Sequence, residues 1–178
     1  MTLVVLLGGA RSGKSALAVE LGRRRRGPVS LVVTAEALDD EMRERIDRHR
    51  RARPPDWRVV EEPRRLASLP VWRDDDLVIL DCLTLWVANL LGAGDHEHAI
   101  VAAAEELASV LLGRRSPTVV VSNEVGLGVV PATPLGRQFQ DLLGTVNGLF
   151  AARADTSLFV VAGRALRLEP VAVEEILG

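Results

Sequence analysis

The chain has 178 residues, a formal net charge of −2 and one cysteine, Cys82. This length predicts one α/β domain with a buried core over residues 1–178, and the near-neutral charge excludes a global basic field for nucleic acid or a membrane surface. A lone cysteine excludes an intramolecular disulfide and suits a reducing, cytoplasmic location, and no apolar run is long enough to span a membrane.

Short apolar β-type runs alternate with helix-type segments along the chain. This alternation predicts an α/β fold with a mostly parallel sheet of about six or seven strands and helices on both faces. The predicted strands are Leu3–Leu7, Ser30–Thr34, Trp57–Glu61, Leu77–Leu80, Thr118–Ser122, Leu158–Ala162 and a last one around Leu166–Val173. The predicted helices are Lys14–Arg26, Asp40–Arg53, Arg64–Leu69, Thr84–Leu91, His96–Leu112 and Leu135–Arg153.

The first strand runs directly into a complete G-x-x-x-x-G-K-S sequence at residues 8–15, and a helix follows. In this arrangement the N–H groups of the loop converge on the β- and γ-phosphates of a nucleotide. Lys14, the only lysine of the chain, would bridge phosphate oxygens, and the Ser15 hydroxyl would ligate Mg²⁺. We therefore expect a P-loop NTPase-like fold, with nucleotide contacts from Gly8, Gly9, Ala10, Arg11, Ser12, Gly13, Lys14 and Ser15.

The second helix is predicted over residues 40–53, from acids at its start, arginines at its end and prolines after it. Met42, Ile46 and His49 lie at i, i+4 and i+7, which places His49 on the apolar, buried side. Residue types leave two interpretations open. His49 is either a semi-buried helix histidine beside solvated arginines, or an imidazole that nearby cations keep neutral and that attacks phosphorus.

Asp81 follows the apolar run Leu77–Leu80, as the acid of a Walker B strand does. An acid at that strand end can hold Mg²⁺ beside Ser15; alternatively, Asp81 caps the following helix. The three acids before this strand are interpreted as a solvated turn. His96 and His98 lack further Cys or His partners, so they are interpreted as a polar helix start and not as metal ligands.

The single lysine also bears on the kind of P-loop protein. A regulatory GTPase would carry an Asn-Lys-x-Asp motif that reads guanine, and a chain whose only lysine is Lys14 lacks that motif. A small-molecule kinase needs only the loop, Mg²⁺, an acid or base and an acceptor pocket. The kinase interpretation therefore remains, while the GTP-binding switch is disfavoured.

Five colinear segments carry a more specific pattern, at residues 8–15, 38–50, 53–57, 81–86 and 121–131. Together they resemble the bifunctional adenosylcobinamide kinase / adenosylcobinamide-phosphate guanylyltransferase family. The resemblance implies phosphorylation of adenosylcobinamide by GTP or ATP, and then transfer of GMP from GTP to that phosphate during coenzyme B12 assembly. It also implies Mg²⁺, a GMP-histidine intermediate at His49 and a homotrimer. The runner-up is a monofunctional small-molecule kinase.

By the same resemblance, nucleotide contacts come from the phosphate loop, the end of the second strand, the segment after the histidine and two strand-end acids. Beyond the loop these residues are Val33, Thr34, Ala35, Arg50, Arg51, Ala52, Arg53, Glu61 and Asp81. Residues at the carboxyl ends of parallel strands line the ligand crevice, and the Glu61 carboxylate can accept from guanine N–H groups. Asp81 thus has two expected roles, toward Mg²⁺ and toward nucleotide.

Asn123 and Glu124 follow the fifth strand on the same edge of the sheet. As an alternative to an irregular connection, we expect an acceptor-side loop in which Glu124 orients or deprotonates the cobinamide hydroxyl. One departure from the family concerns the next helix, where Val-Asn-Gln is common and this chain has Gly148 in place of Gln. The change removes an amide from a predicted subunit or corrinoid contact.

Overall fold

The computed structural model describes residues 2–37, 39–51 and 53–172, without the side chains of Glu41 and Arg45. Its strands are β1 (Leu3–Leu7), β2 (Val29–Val33), β3 (Arg58–Glu61), β4 (Leu77–Asp81), β5 (Thr118–Val121), β6 (Thr156–Val161) and β7 (Arg164–Leu168). Within the described residues they form one sheet in the order β3-β2-β4-β5-β1-β6-β7. Every pairing is parallel except β6 with β7, so the predicted mostly parallel sheet is confirmed.

The helices are α1 (Lys14–Arg24), α2 (Asp40–Arg51), α3 (Leu83–Gly92), α4 (Glu97–Leu112) and α5 (Pro134–Arg153). They match five predicted helices within two residues at each end. Among the described helices, none is long and apolar enough to cross a membrane. The last strand ends at Leu168, before its predicted end, and Val173 lies outside the described residues.

The predicted α-helix Arg64–Leu69 is wrong, because this segment forms short 3₁₀ helices at Leu66–Ser68 and Pro70–Arg73. A proline disfavours the α conformation in the residue before it, and Leu69 before Pro70 is extended, with φ −67° and ψ 132°. Leu66 O accepts from the Leu69 N–H at 3.1 Å and from Trp72 Nε1 at 2.5 Å.

Alternate residues along β4 bury their side chains in two different clusters, as a sheet covered on both faces requires. Val78 and Leu80 pack into the cluster that contains α3, α4 and α5. Leu77 and Ile79 pack into the cluster that contains Ala18 of α1. Helices therefore cover both faces, as predicted.

The register places the carboxyl ends of four strands side by side. Val33 of β2 pairs with both Glu61 of β3 and Asp81 of β4, and Asp81 pairs with Val121 of β5. The phosphate loop leaves β1, two strands from β4, at this same edge. Parallel pairing thus collects segments that lie far apart in sequence at one edge of the sheet.

The turn of three acids before β4 is less solvated than predicted. Asp76 accepts from Ser30 Oγ at 2.6 Å, and Asp74 accepts from Arg58 at 2.6 Å. The turn is drawn onto the sheet because the buried guanidinium of Arg114 also donates to its backbone carbonyls.

Candidate active site

The phosphate loop folds around the ammonium group of Lys14. Its Nζ donates to Gly8 O and Gly9 O at 2.7 Å each, and it lies 3.3 Å from Ser12 Oγ. Burial lowers the pKa of Lys14, and the charge of Asp81 acts against that shift. The side chain is only 6% exposed, so this charge is held by the loop's own carbonyl dipoles.

Two glycines of the loop have backbone conformations that other residues rarely adopt. Gly8 has φ +149° and Gly13 has φ +105°. A Cβ atom at Gly8 would lie 2.1 Å from Val160 O, so a side chain there requires β6 to move. Gly13 occupies the position before α1, which leaves the first amides of the helix open toward an anion.

The turn between β6 and β7 is hydrogen-bonded to the phosphate loop, a contact that the sequence did not predict. The Gly163 N–H donates to Ser12 O at 2.8 Å. Ala162 and Gly163 both have positive φ, +50° and +72°, as a tight hairpin turn needs. The only sequence signal is Ala-Gly between two apolar runs.

Asp81 stands at the end of β4, half-buried and within electrostatic reach of two cations, Lys14 and Arg53. The position that caps α3 is Cys82 and not Asp81, so the alternative of a helix cap is wrong. Burial, together with the charge of Asp81, raises the pKa of the Cys82 thiol to about 11. The Cys82 thiol therefore stays protonated and uncharged at neutral pH.

Ser15 and Asp81 are the two residues predicted to hold Mg²⁺. No group of three or more His, Cys, Asp or Glu side chains in the described part of the chain could hold a metal ion by itself. A hydroxyl and a carboxylate nevertheless fit the hard oxygen ligands that Mg²⁺ prefers, and nucleotide phosphates and water usually supply the rest. This donor set fits a Mg²⁺–nucleotide better than a free cation.

Thr34 is fully buried at the end of β2. Its Oγ1 donates to Cys82 O at 2.7 Å and accepts from the Cys82 N–H at 3.0 Å. Because a hydroxyl has one proton, Thr34 has none left to donate to a ligand. The Thr34 N–H is also in use, because it donates to Asp81 O at 3.2 Å. A donor to a nucleotide would have to come from Ala35, which is half-buried.

Asn89 of α3 contacts the backbone at this edge of the sheet, and no sequence motif predicted this role. Its Nδ2 donates to Thr34 O at 2.8 Å and to Pro63 O at 3.1 Å. One turn earlier, Trp86 Nε1 donates to Arg64 O at 2.7 Å. One face of α3 therefore ties the ends of β2 and β3 together; the signal was Trp and Asn three residues apart after the strand-end acid.

His49 lies on α2, whose described side chains are all half-buried or exposed. The expectation that His49 points with a buried side is therefore too strong: Met42, Ile46 and His49 do share a face, but that face is only half-covered. The strongly charged composition of α2 explains this, since it offers two apolar side chains to pack.

The end of α2 meets β3 through an ion pair between two of the predicted nucleotide contacts. Arg50 donates to Glu61 Oε1 at 2.8 Å and lies 3.6 Å from Asp47. Arg51 is exposed and Arg53 is half-buried, while Ala52 lies outside the described residues. Both members of the Arg50–Glu61 pair are more than half exposed, so a ligand can displace one from the other at little cost.

Glu124 adjoins the phosphate loop through its backbone. Its N–H donates to Gly8 O at 3.0 Å, the same oxygen that accepts from Lys14 Nζ. Its carboxylate accepts from the Gly126 N–H at 2.8 Å, which holds it at the start of the following loop. The prediction that His96 and His98 form a helix start is confirmed, because His96 occupies the position before α4 and His98 lies in its first turn.

Comparisons with known proteins point in one direction. The family described as cobinamide kinase / cobinamide phosphate guanyltransferase matches residues 4–168. The bifunctional adenosylcobalamin biosynthesis protein CobP of Pseudomonas aeruginosa is 40% identical over 167 residues, which cover 93% of this chain and 96% of that protein. The bifunctional adenosylcobalamin biosynthesis protein CobU of Escherichia coli is 37% identical over 182 residues, with 94% and 99% covered.

A solved structure supports the fold alone. It is described as a prototypical ATPase from the type III secretion system of pathogenic bacteria, and it superposes with a TM-score of 0.54 at 11% sequence identity. The superposition covers 93% of this chain and 56% of that one. The predicted P-loop NTPase-like fold is thereby confirmed.

Proposed function

We propose a bifunctional transferase activity in adenosylcobalamin biosynthesis for this chain, which belongs to the cobinamide kinase / cobinamide phosphate guanyltransferase family. It first phosphorylates the hydroxyl group of adenosylcobinamide with GTP or ATP. It then transfers GMP from GTP to that phosphate and releases pyrophosphate. The observation that carries the proposal is the shared Gly8 carbonyl, which joins the phosphate-loop lysine to the acceptor-side Glu124.

In the kinase step, the loop amides and Lys14 bind the β- and γ-phosphates and stabilise the charge on the transferring group. Glu124 accepts the proton of the acceptor hydroxyl. The hydroxyl oxygen forms a bond to the γ-phosphorus, and the bond from this phosphorus to the β-phosphate oxygen breaks, which releases the nucleoside diphosphate. Ser15 and Asp81 would hold Mg²⁺, which neutralises phosphate charge when it is bound.

In the guanylyl step, an imidazole nitrogen of His49 attacks the α-phosphorus of GTP, and pyrophosphate departs. An oxygen of the cobinamide phosphate then attacks the same phosphorus and breaks the bond to nitrogen, which regenerates His49. Arg50, Arg51 and Arg53 would stabilise the phosphates during both transfers. Glu61 is released for the guanine base when a ligand displaces it from Arg50.

The loop after Glu124 suits a large acceptor with apolar parts. Leu127, Val129 and Val130 are 77%, 94% and 70% exposed, an unusual concentration of apolar side chains in one exposed segment. A corrinoid acceptor would cover them while its hydroxyl group reaches Glu124. A homotrimer and a cytoplasmic location, supported by the family resemblance and the lone cysteine, complete the proposal.

Labelled GTP tests this proposal. With label at the α-phosphate, the denatured protein should retain an acid-labile, base-stable adduct; with label at the γ-phosphate it should retain none, because pyrophosphate carries that label away. His49→Ala should lose the adduct and keep kinase activity, since phosphorylation needs no imidazole. His98→Ala, which removes a histidine at the start of α4, is the matched control and should keep both.

Two results would contradict it. An α-labelled adduct that survives in His49→Ala would place the nucleophile elsewhere. No adduct in the wild type, with intact phosphorylation of adenosylcobinamide, would leave a monofunctional kinase.

A further inference from the structure

Asn147 is a polar side chain in the apolar face of α5. It is 4% exposed and follows the fully buried Val146. Its Nδ2 donates to Asn123 O at 2.9 Å, but its Oδ1 is buried without a hydrogen-bond partner among the described residues. An unpaired buried oxygen is unfavourable, and a leucine of similar size would avoid it. The stabilisation from the Nδ2 hydrogen bond is therefore offset by the cost of the unpaired Oδ1, and the net gain in stability over leucine is small.

The hydrogen bond that Asn147 does make fixes a single peptide group. The Asn123 carbonyl and the Glu124 N–H belong to the same planar unit. Asn147 Nδ2 holds the carbonyl end at 2.9 Å, and Gly8 O of the phosphate loop accepts from the N–H end at 3.0 Å. This one peptide therefore bridges the core of α5 and the phosphate loop.

The peptide that precedes it is held independently of Asn147. On its amino side, the Asn123 N–H donates to Thr84 Oγ1 at 2.6 Å, and this oxygen lies 3.3 Å from Ser122 Oγ. These bonds hold the preceding peptide. Among the described residues, the peptide between Asn123 and Glu124 is hydrogen-bonded to Asn147 Nδ2 at its carbonyl end and to Gly8 O at its N–H end.

We propose that Asn147 is a positioning residue for transfer to the acceptor: it holds the Asn123–Glu124 peptide so that Glu124 stays attached to the phosphate loop. The inference rests on the proposed function, in which Glu124 serves the acceptor hydroxyl. Without the Asn147 donor, the peptide can turn, the Glu124 N–H leaves Gly8 O, and the carboxylate loses its fixed distance from the nucleotide phosphates. Nucleotide binding itself, which uses the loop amides and Lys14, is left in place.

The test is Asn147→Leu, which keeps the volume but removes both the donor and the unpaired oxygen. The Glu124 amide should exchange with solvent at least about tenfold faster than in the wild type, as loss of one hydrogen bond implies, while the Val120 amide in β5 is unchanged. The turnover number for adenosylcobinamide phosphorylation should fall by about tenfold or more, with the KM for nucleotide and the thermal unfolding midpoint maintained.

Thr145→Val is the matched control, because it removes an exposed hydroxyl of α5 that donates to Asp141 O of the same helix. It should change neither exchange nor turnover. If leucine is not accommodated at position 147, Asn147→Ala removes the same donor in a smaller side chain and should give the same exchange result.

An unchanged Glu124 exchange rate in both folded variants would overturn the inference. So would a fall in turnover that is matched by a rise in nucleotide KM and a lower unfolding midpoint, because that pattern indicates a merely structural role. Amide exchange needs no substrate. A wild type inactive toward adenosylcobinamide would therefore contradict the proposed function, and the exchange rates would still decide whether Asn147 holds this peptide.

Discussion

At the scale of single residues, Lys14 shows how the phosphate loop keeps a cation ready for chemistry. Its ammonium group donates to two loop carbonyls, although burial lowers its pKa and so makes the charged form less favourable. Charged groups held against desolvation in this way are found most often at functional sites. The burial of Lys14 is thus consistent with a role in phosphate binding and not in packing.

Replacement of Lys14 by alanine should lower phosphoryl transfer by about 10²- to 10³-fold, because the transferring phosphate loses a donor that meets its developing charge. The fold should survive, since Lys14 packs no apolar core. Nucleotide consumption in the presence of adenosylcobinamide measures the first effect, and circular dichroism the second. Arg115→Ala, which removes an exposed arginine outside the predicted site residues, should keep most of the activity. Near-normal turnover in folded Lys14→Ala would contradict the assigned role.

Cys82 gives a pH dependence whose sign can be stated. Burial raises the pKa of its thiol from 9.0 to about 11, so the unfolded chain loses this proton first. The stability that the protonated thiol contributes is fully present below pH 9 and is lost as the pH rises toward 11, by up to roughly 3 kcal/mol.

Unfolding in urea at pH 8, 9, 10 and 11 should therefore show a steeper decline in the wild type than in Cys82→Ala. The comparison isolates the thiol because other groups titrate in both proteins. Parallel pH profiles would show that the thiol ionises equally in the folded and unfolded chains.

At the scale of elements, α3 organises the nucleotide edge of the sheet. It begins directly after β4 and presents Trp86 and Asn89 on one face, toward the backbone that follows β2 and β3. That backbone includes Thr34 and leads to Glu61, two of the predicted nucleotide contacts. Through these hydrogen bonds, α3 fixes the spacing between the ends of β2 and β3, although it follows neither strand in the sequence.

We expect Asn89→Leu to weaken GTP binding by about tenfold, because Thr34 O and Pro63 O lose a shared donor and the strand ends separate. Titration calorimetry with GTP measures the change. Ser109→Ala on α4 is the control, since its hydroxyl bonds locally to Glu105 O. Unchanged GTP affinity in a folded Asn89→Leu protein would show that the base-side strand ends hold their spacing without this amide.

At the scale of the whole molecule, the carboxyl-terminal and amino-terminal edges of the parallel strands have different roles. The carboxyl edge carries the phosphate loop, Asp81 and the end of α2. The opposite edge carries Arg114, which is 4% exposed and donates to Val71 O at 2.9 Å and Asp76 O at 2.7 Å. Among the described residues, its hydrogen bonds go to the backbone of residues 71–76 and none goes to the proposed site, so its contribution is to stability.

Arg114→Met should lower the free energy of unfolding by about 3 kcal/mol, because buried carbonyls lose their donor. Turnover per folded molecule should be unchanged. Chemical denaturation and active-site-titrated kinetics together make the distinction. A selective loss of turnover with stability intact would contradict the separation of the two edges.

The local parts of this protein followed from sequence because their causes are local. The strand, glycine loop and helix at residues 3–24 are specified by apolar runs and by glycines at fixed spacing, and the β4 acid follows from its position after an apolar run. The α/β class follows from the alternation of such segments. The incorrect helix prediction at 64–69 also has a local cause, since Pro70 disfavours the α conformation at Leu69.

Only the tertiary structure decided which distant groups support these parts. Asn89 reaches Thr34 across 55 residues, Asn147 reaches Asn123 across 24, and Gly163 reaches the phosphate loop from a hairpin near the other end of the chain. Each is a hydrogen bond to a distant backbone carbonyl, and neither hydrophobic periodicity nor motif spacing predicts which carbonyl a side chain or amide will reach. Half-burial of His49 likewise depends on what lies opposite α2, because an amphipathic pattern states which face is apolar and not how much of it another element covers.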